Sequence, residues 1–225
     1  MTGYYAQNLS GRRLMQCYEV ASPRVKRYLE AEIRHILSRL GPKDSVLELG
    51  CGYGRVALRL AGNERHVVGI DTAEESLALA RELASPDSRC EFVKMNALNL
   101  LYPAGTFDAV VCVQNGICAF GVDQESLLRE ALRYARAGGI LLFSTYSDRF
   151  WKHRLEWFQS QAAAGLLGSV DLEASRGGTI VCTDGFRAAR VTPEAWRALC
   201  ARAGVDCRII EVDGSSVFCE IVKRA

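Results

Sequence analysis

Short apolar runs and longer amphipathic stretches alternate along the first two thirds of the chain. Residues 45–49, 66–70, 90–94, 106–113 and 140–145 are compact apolar segments of the kind that buried parallel strands show. Between them, residues 55–60, 74–83 and 123–137 read as helices; Ser85-Pro86-Asp87 breaks the second and Gly138-Gly139 stands at the end of the third. Ahead of the first strand, residues 24–40 carry an apolar stripe of Val25, Leu29, Ile33, Ile36, Leu37 and Leu40. Ser22 and Pro23 suit the start of that helix and Gly41-Pro42 its end. The alternation predicts an α/β fold with a doubly wound, mostly parallel sheet.

The alternation stops after residue 145. Residues 146–191 hold Tyr146, Phe150, Trp151, Trp157 and Phe158, and Asp184-Gly185 marks a hairpin between 179–183 and 186–191. A helix is expected from Thr192-Pro193 to about residue 203. Two strands, 206–212 and 216–222, follow around Asp213-Gly214. The expectation is one domain over 1–225. Residues 1–40 form an N-terminal cap and helix, and residues 146–191 form an insertion over a pocket.

Composition narrows the partners. The chain is 49% hydrophobic and 24% charged with net charge +2, which suits a globular domain and gives no electrostatic ground for nucleic acid or a membrane surface. No apolar run approaches the roughly 18 residues of a membrane span, and the first residues lack a signal-peptide core. The nine cysteines form no Cys-x-x-Cys pair, which argues against a zinc knuckle and against a resident metal. Free buried thiols are the expectation of a cytoplasmic protein.

The chemistry centres on residues 46–54, Val-Leu-Glu-Leu-Gly-Cys-Gly-Tyr-Gly. A strand ending in a glycine-rich turn before a helix lets a ligand approach the backbone. Dinucleotide sites use Gly-x-Gly-x-x-Gly, but counting from Gly50 the third place is Arg55. The chain has Glu48-x-Gly50-x-Gly52-x-Gly54 instead. Asp71 closes the second strand, 17 residues on (54 to 71). A carboxylate there can accept both hydroxyls of a ribose, or it can cap the next helix.

The Glu48–Gly54 motif resembles motif I of the class I S-adenosylmethionine-dependent methyltransferases, and the terminal strand pair resembles the antiparallel pair that closes their sheets. The resemblance covers most of residues 40–145 and 192–225. It implies a seven-stranded Rossmann-like sheet and S-adenosyl-L-methionine as cofactor. It places Glu48, Gly50, Cys51, Gly52, Gly54, Asp71, Thr72, Asn96, Ala97 and Gln114 at that cofactor. Asn96 stands where the family often has Asp; its carbonyl could accept from adenine, or it could serve only the turn. The loop 113–120 lacks the Asn/Asp-Pro-Pro-Tyr pattern of amino-methylating DNA and protein-glutamine enzymes, which argues against those substrates.

The implied reaction is methyl transfer to a small-molecule nucleophile, with the protein positioning and drying the site. Tyr5, Tyr18, Arg24, Asn115, Tyr146 and Trp151 are the candidate substrate residues, with a surface arginine the preferred alternative for Arg24, and core packing the alternative for the aromatic ones and preferred for Trp157 and Phe158. His153 is the candidate base, against a structural histidine. Rival readings are an aminopropyl transferase, a nicotinamide enzyme, an RNA-associated methyltransferase and a non-catalytic module that binds the cofactor. A homodimer through 146–191 is the alternative to a lid.

Overall fold

The computed structural model describes residues 4–62 and 64–224. Two short helices, α1 (Tyr4–Asn8) and α2 (Gly11–Glu19), precede α3 (Pro23–Leu37). Ser22 Oγ accepts the Val25 N–H at 3.4 Å, and Pro23 occupies the first turn, where it forfeits no hydrogen bond. Then follow β1 (Ser45–Leu49), α4 (Ala57–Ala61), β2 (His66–Asp71), α5 (Glu74–Leu83), β3 (Cys90–Lys94), β4 (Phe107–Cys112), α6 (Gly116–Ala119), α7 (Gln124–Tyr134) and β5 (Ala135–Tyr146). The last third holds α8 (Trp151–Ala163), β6 (Ile180–Val181), β7 (Arg187–Ala188), α9 (Pro193–Ala203), β8 (Arg208–Val212) and β9 (Ser216–Val222).

Seven strands form one sheet in the order β3-β2-β1-β4-β5-β9-β8. The first five are parallel; β9 runs antiparallel to β5, and β8 antiparallel to β9. The central strands are apolar on both faces because helices cover both, giving one core around Leu47, Val110 and Leu141 and another around Val46, Val67 and Ala109. The strand order reverses between β1 and β4. Their carboxyl ends therefore splay apart into the crevice where doubly wound sheets hold ligands.

The expected helix 123–137 is shorter than its sequence suggested. α7 stops at Tyr134, and Ala135 already pairs with Phe107 as strand. Gly138 N–H donates to Lys223 O at 2.8 Å, and Lys223 N–H donates to Gly139 O at 2.9 Å. The two glycines thus lie inside a long strand, held by the terminal strand rather than ending a helix.

The segment after β5 pairs β6 with β7 in a separate two-stranded sheet around Asp184-Gly185. It packs on the N-terminal helices: Leu9 and Cys17 share a core with Phe158, Leu166, Ile180 and Phe186. Tyr4 and Tyr5 meet the Phe186 ring edge-on at 5.0 and 5.8 Å. Trp157 Nε1 donates to Cys17 O at 2.7 Å, and Arg13 donates to the carbonyls of Gly165 and Leu166.

Candidate functional site

The β1–β4 crevice opens into a cavity of ≈ 420 Å³. One end is built by the turns after the parallel strands. Gly50 leaves β1 at φ +71, a left-handed conformation costly to other residues, and a Cβ there would stand 2.5 Å from the Phe120 ring. Asp71, at the end of β2, accepts the Gly52 N–H on Oδ2 and the Ala73 N–H on Oδ1, both at 2.9 Å. It thus braces the turn into the next helix without capping it, holds the glycine turn in place and lines the cavity. Each carboxylate oxygen keeps a lone pair for a further donor.

At the end of β4 the chain turns through two left-handed residues that are not glycine, Gln114 at φ 54 and Asn115 at φ 63. Such conformations are unfavourable and persist where the surroundings enforce them. Here Gln114 N–H donates to Ser144 Oγ at 2.9 Å, Asn115 N–H donates to Ser144 O at 3.0 Å, and Asn115 Nδ2 donates to Ala189 O at 2.7 Å. Gln114 Oε1 accepts the Tyr18 hydroxyl at 2.8 Å, and its buried Nε2 has no partner among the described residues. An amide donor is thus left at the cavity wall.

The rest of the wall is largely aromatic and apolar, and Leu14 and Tyr18 carry it up to Gly52 and Gln114. Tyr5, Leu14 and Tyr18 come from the N-terminal helices, Tyr146 from the end of β5, and Trp157, Phe158 and Gln161 from α8. Trp157 and Phe158 are buried, as core residues are, but their rings also face the cavity, so packing is only half of their role. Leu14, Phe120, Met95 and Gln161 were not singled out in the sequence. They come from four separate elements and carry no local motif.

Of the expected cofactor residues, Gly50, Gly52, Asp71, Thr72, Asn96, Ala97 and Gln114 line this cavity. Asn96 Oδ1 accepts the Leu98 N–H at 2.9 Å, the turn role, and keeps one lone pair for a further donor. Glu48 and Cys51 lie one layer behind, on a cavity of ≈ 50 Å³ that shares Gly50, Gly52 and Gln114 with the larger one. Gly54 serves packing, since a Cβ there would meet Phe92 and Ala80.

Of the expected substrate residues, Tyr5, Tyr18 and Tyr146 reach the cavity and three do not. Arg24 is bound to Asp213 by its side chain at 2.7 Å and its carbonyl at 2.9 Å, under the pull of a carboxylate that sequence distance hides. Trp151 packs into the core shared by α8 and the N-terminal helices. Asn115 is buried off the cavity wall, its Nδ2 bonded to Ala189 O and its Oδ1 without a partner among the described residues. His153 also lies off the cavity wall, partly exposed, with Nδ1 3.3 Å from Glu156.

Two acids are buried behind the wall. Ser144 Oγ donates to Glu32 Oε1 at 2.6 Å, and burial pushes Glu32 up to about 7. Glu48 has no partner for Oε2 among the described residues; burial pushes it up to about 8, against the opposing pull of the Arg55 guanidinium. Arg154 is buried on α8, stacked 4.1 Å from the Tyr146 ring centre, with its guanidinium donating to Gly178 O and Ala188 O. It ties the insertion down over the aromatic end.

Residues 46–139 match the family model described as "Methyltransferase domain". A 2-methyl-6-phytyl-1,4-hydroquinone methyltransferase of Synechocystis sp. is 33% identical over 114 residues, covering 50% of this chain and 35% of that protein. A ubiquinone biosynthesis O-methyltransferase of Chromobacterium violaceum is 36% identical over 105 residues, 44% of this chain and 43% of that one. This chain thus spans about a third to under a half of the length of these relatives. Among solved structures, magnesium protoporphyrin IX methyltransferase of Synechocystis, with S-adenosylhomocysteine bound, superimposes with TM-score 0.63 at 16% identity, covering 94% of this chain and 93% of that one. Sheet order, glycine turn and matched segment agree: residues 46–139 are similar to a methyltransferase domain, on a fold shared with a solved methyltransferase structure.

Proposed function

We propose that this chain transfers a methyl group from S-adenosylmethionine to a small, largely apolar molecule held at the aromatic end of the cavity. One observation carries the reading: a single cavity of ≈ 420 Å³ is lined both by Gly50, Gly52 and Asp71 and by Tyr146, Trp157 and Phe158. The residues fit the cofactor. A carboxylate with free lone pairs suits a diol, and an unpartnered amide donor waits at Gln114. Asp71 would hold the ribose, Asn96 and Ala97 would flank the adenine, and Gln114 would meet the amino-acid part. Bound there, S-adenosylmethionine supplies an electrophilic sulfonium methyl.

The protein's own part is to bind, orient and exclude water. The titratable groups on the cavity wall are Tyr5, Cys17, Tyr18, Asp71 and Tyr146. Burial pushes Cys17 and Tyr146 up to about 12 and raises Tyr5 and Tyr18 well above the usual phenol range, so none of the four accepts a proton at neutral pH. The aromatic end thus provides no ready base, and His153 does not reach it. The substrate then brings a nucleophile that is already unprotonated, such as an amine, a thiolate, an acidic phenolate or an electron-rich ring carbon. Tyr146, Trp157 and Phe158 offer flat faces to a ring and to developing positive charge.

The N-terminal helices and the 146–191 segment act together as the lid. Trp157 bonded to Cys17 and the packing of Tyr4 and Tyr5 on Phe186 support this, because the two segments meet each other over the cavity. The relatives named for hydroquinone and ubiquinone biosynthesis favour an aromatic substrate. A screen of phenols, quinols, amines and thiols with methyl-labelled cofactor tests the reading. Transfer to an aromatic acceptor, with the Michaelis constant raised in Trp157→Ala, is expected. Cofactor binding without transfer to any acceptor class would leave a binding module instead.

A further inference from the structure

Away from the cavity, three cysteines converge from three parts of the last third of the chain. Cys200 lies on α9, Cys219 on β9, and Cys207 on the connection into β8. The Cys200 and Cys219 sulfurs are 3.6 Å apart, and all three sulfurs lie within 4.8 Å of one another. Cys200 and Cys219 are buried between α9 and the antiparallel edge of the sheet, while Cys207 is half-buried and gives the trio one side towards solvent. None of the three lines the cavity.

We propose that Cys200, Cys207 and Cys219 form a thiolate site for one thiophilic metal ion, Zn²⁺ or Cu⁺. A metal–sulfur bond of about 2.3 Å sets three sulfurs around one ion about 4 Å apart. The 3.6 Å pair and the 4.8 Å limit bracket that value, so the ion needs shifts of under an ångström. A disulfide needs sulfurs about 2.05 Å apart. Cys200 and Cys219 would have to close by roughly 1.5 Å, and Cys207 would be left over. Packing alone does not call for three thiols to meet; Cys17, Cys51, Cys112 and Cys182 fill core positions without forming such a group. Among the described residues this is the one group of His, Cys, Asp or Glu side chains close enough to share an ion. An all-sulfur donor set selects soft ions and disfavours Mg²⁺ and Ca²⁺. Cu⁺ is satisfied by three thiolates, and Zn²⁺ would take a water as fourth ligand on the Cys207 side. Binding displaces the thiol protons and ties α9 to β9, whose partner strand β5 ends at Tyr146 in the cavity wall.

The test is titration of the reduced 225-residue protein with Zn²⁺ and, separately, Cu⁺, followed by native mass spectrometry and thermal unfolding. Wild type and Cys90→Ser, a thiol outside the trio, should take up one ion per chain and unfold several degrees higher. Cys207→Ser, at the half-buried corner, should bind at least about tenfold more weakly and lose that rise while its circular dichroism stays native. Co²⁺ added to wild type gives a readout that needs no variant: an intense sulfur-to-metal charge-transfer band at one equivalent. Uptake by Cys207→Ser equal to wild type, or no uptake and no cobalt band in wild type, overturns the proposal. Comparison of the two titrations identifies the preferred ion.

Discussion

Replacing Glu48 by Gln should make the protein more resistant to unfolding at alkaline pH, although Glu48 belongs to the glycine-turn motif. The side chain is 3% exposed, its Oε2 lacks a partner among the described residues, and burial holds its proton until about pH 8 against an ordinary value of 4.5. A group whose folded value is raised favours the folded state fully below its unfolded value and loses that contribution as pH climbs through the folded one. The window here runs from 4.5 to about 8. At roughly 1.4 kcal/mol per pH unit, the loss across that gap is on the order of 5 kcal/mol. Gln has the same shape and no proton to lose. Urea unfolding of wild type and Glu48→Gln at pH 5 and pH 8.5 measures this, and taking the difference of differences cancels any change in packing. The variant should gain a few kcal/mol relative to wild type between the two pH values. A pH-independent difference would refute the reasoning and show Glu48 already ionised against Arg55.

Asp71→Ala removes the acceptor for two backbone N–H groups as well as the proposed ribose contact, so S-adenosylhomocysteine affinity should fall by about 1.5–3 kcal/mol, with a loss of stability beside it; unchanged calorimetric affinity would reduce Asp71 to a brace of the two turns. Gly50→Ala puts a Cβ against Phe120 and forces a left-handed conformation, so cofactor binding should weaken more than the melting temperature drops; binding equal to wild type would show that the turn adapts. His153→Ala should leave turnover within about twofold of wild type, because the ring lies off the cavity wall; a loss of about a hundredfold, the size of a base contribution, would return it to that role.

Local sequence revealed what local physics decides. The strands 45–49 and 90–94 and the helix 74–83 coincide with β1, β3 and α5, because period and punctuation fix them. The cavity's glycine end was legible for the same reason, since its turn chemistry is written in consecutive residues. The boundary at Tyr134–Ala135 was not: the extension of β5 is set by pairing with Phe107 and by hydrogen bonds to Lys223, 88 residues further on. The aromatic end was half legible. Tyr5, Tyr18 and Tyr146 stood out as aromatics outside the βα alternation. Trp157 and Phe158 looked like core because one helix face can serve both core and cavity. Arg24 looked free for a ligand until Asp213, 189 positions away, was seen to hold it.

The account rests on the glycine turn, Asp71 and the aromatic wall forming one site for one cofactor, and calorimetric titration of the intact protein tests that most directly. S-adenosylhomocysteine should bind with one site per chain, NAD should show no measurable heat, and Asp71→Ala should weaken the first by at least about tenfold. Preferential binding of NAD, or no binding of S-adenosylhomocysteine by a protein with native circular dichroism, would contradict it.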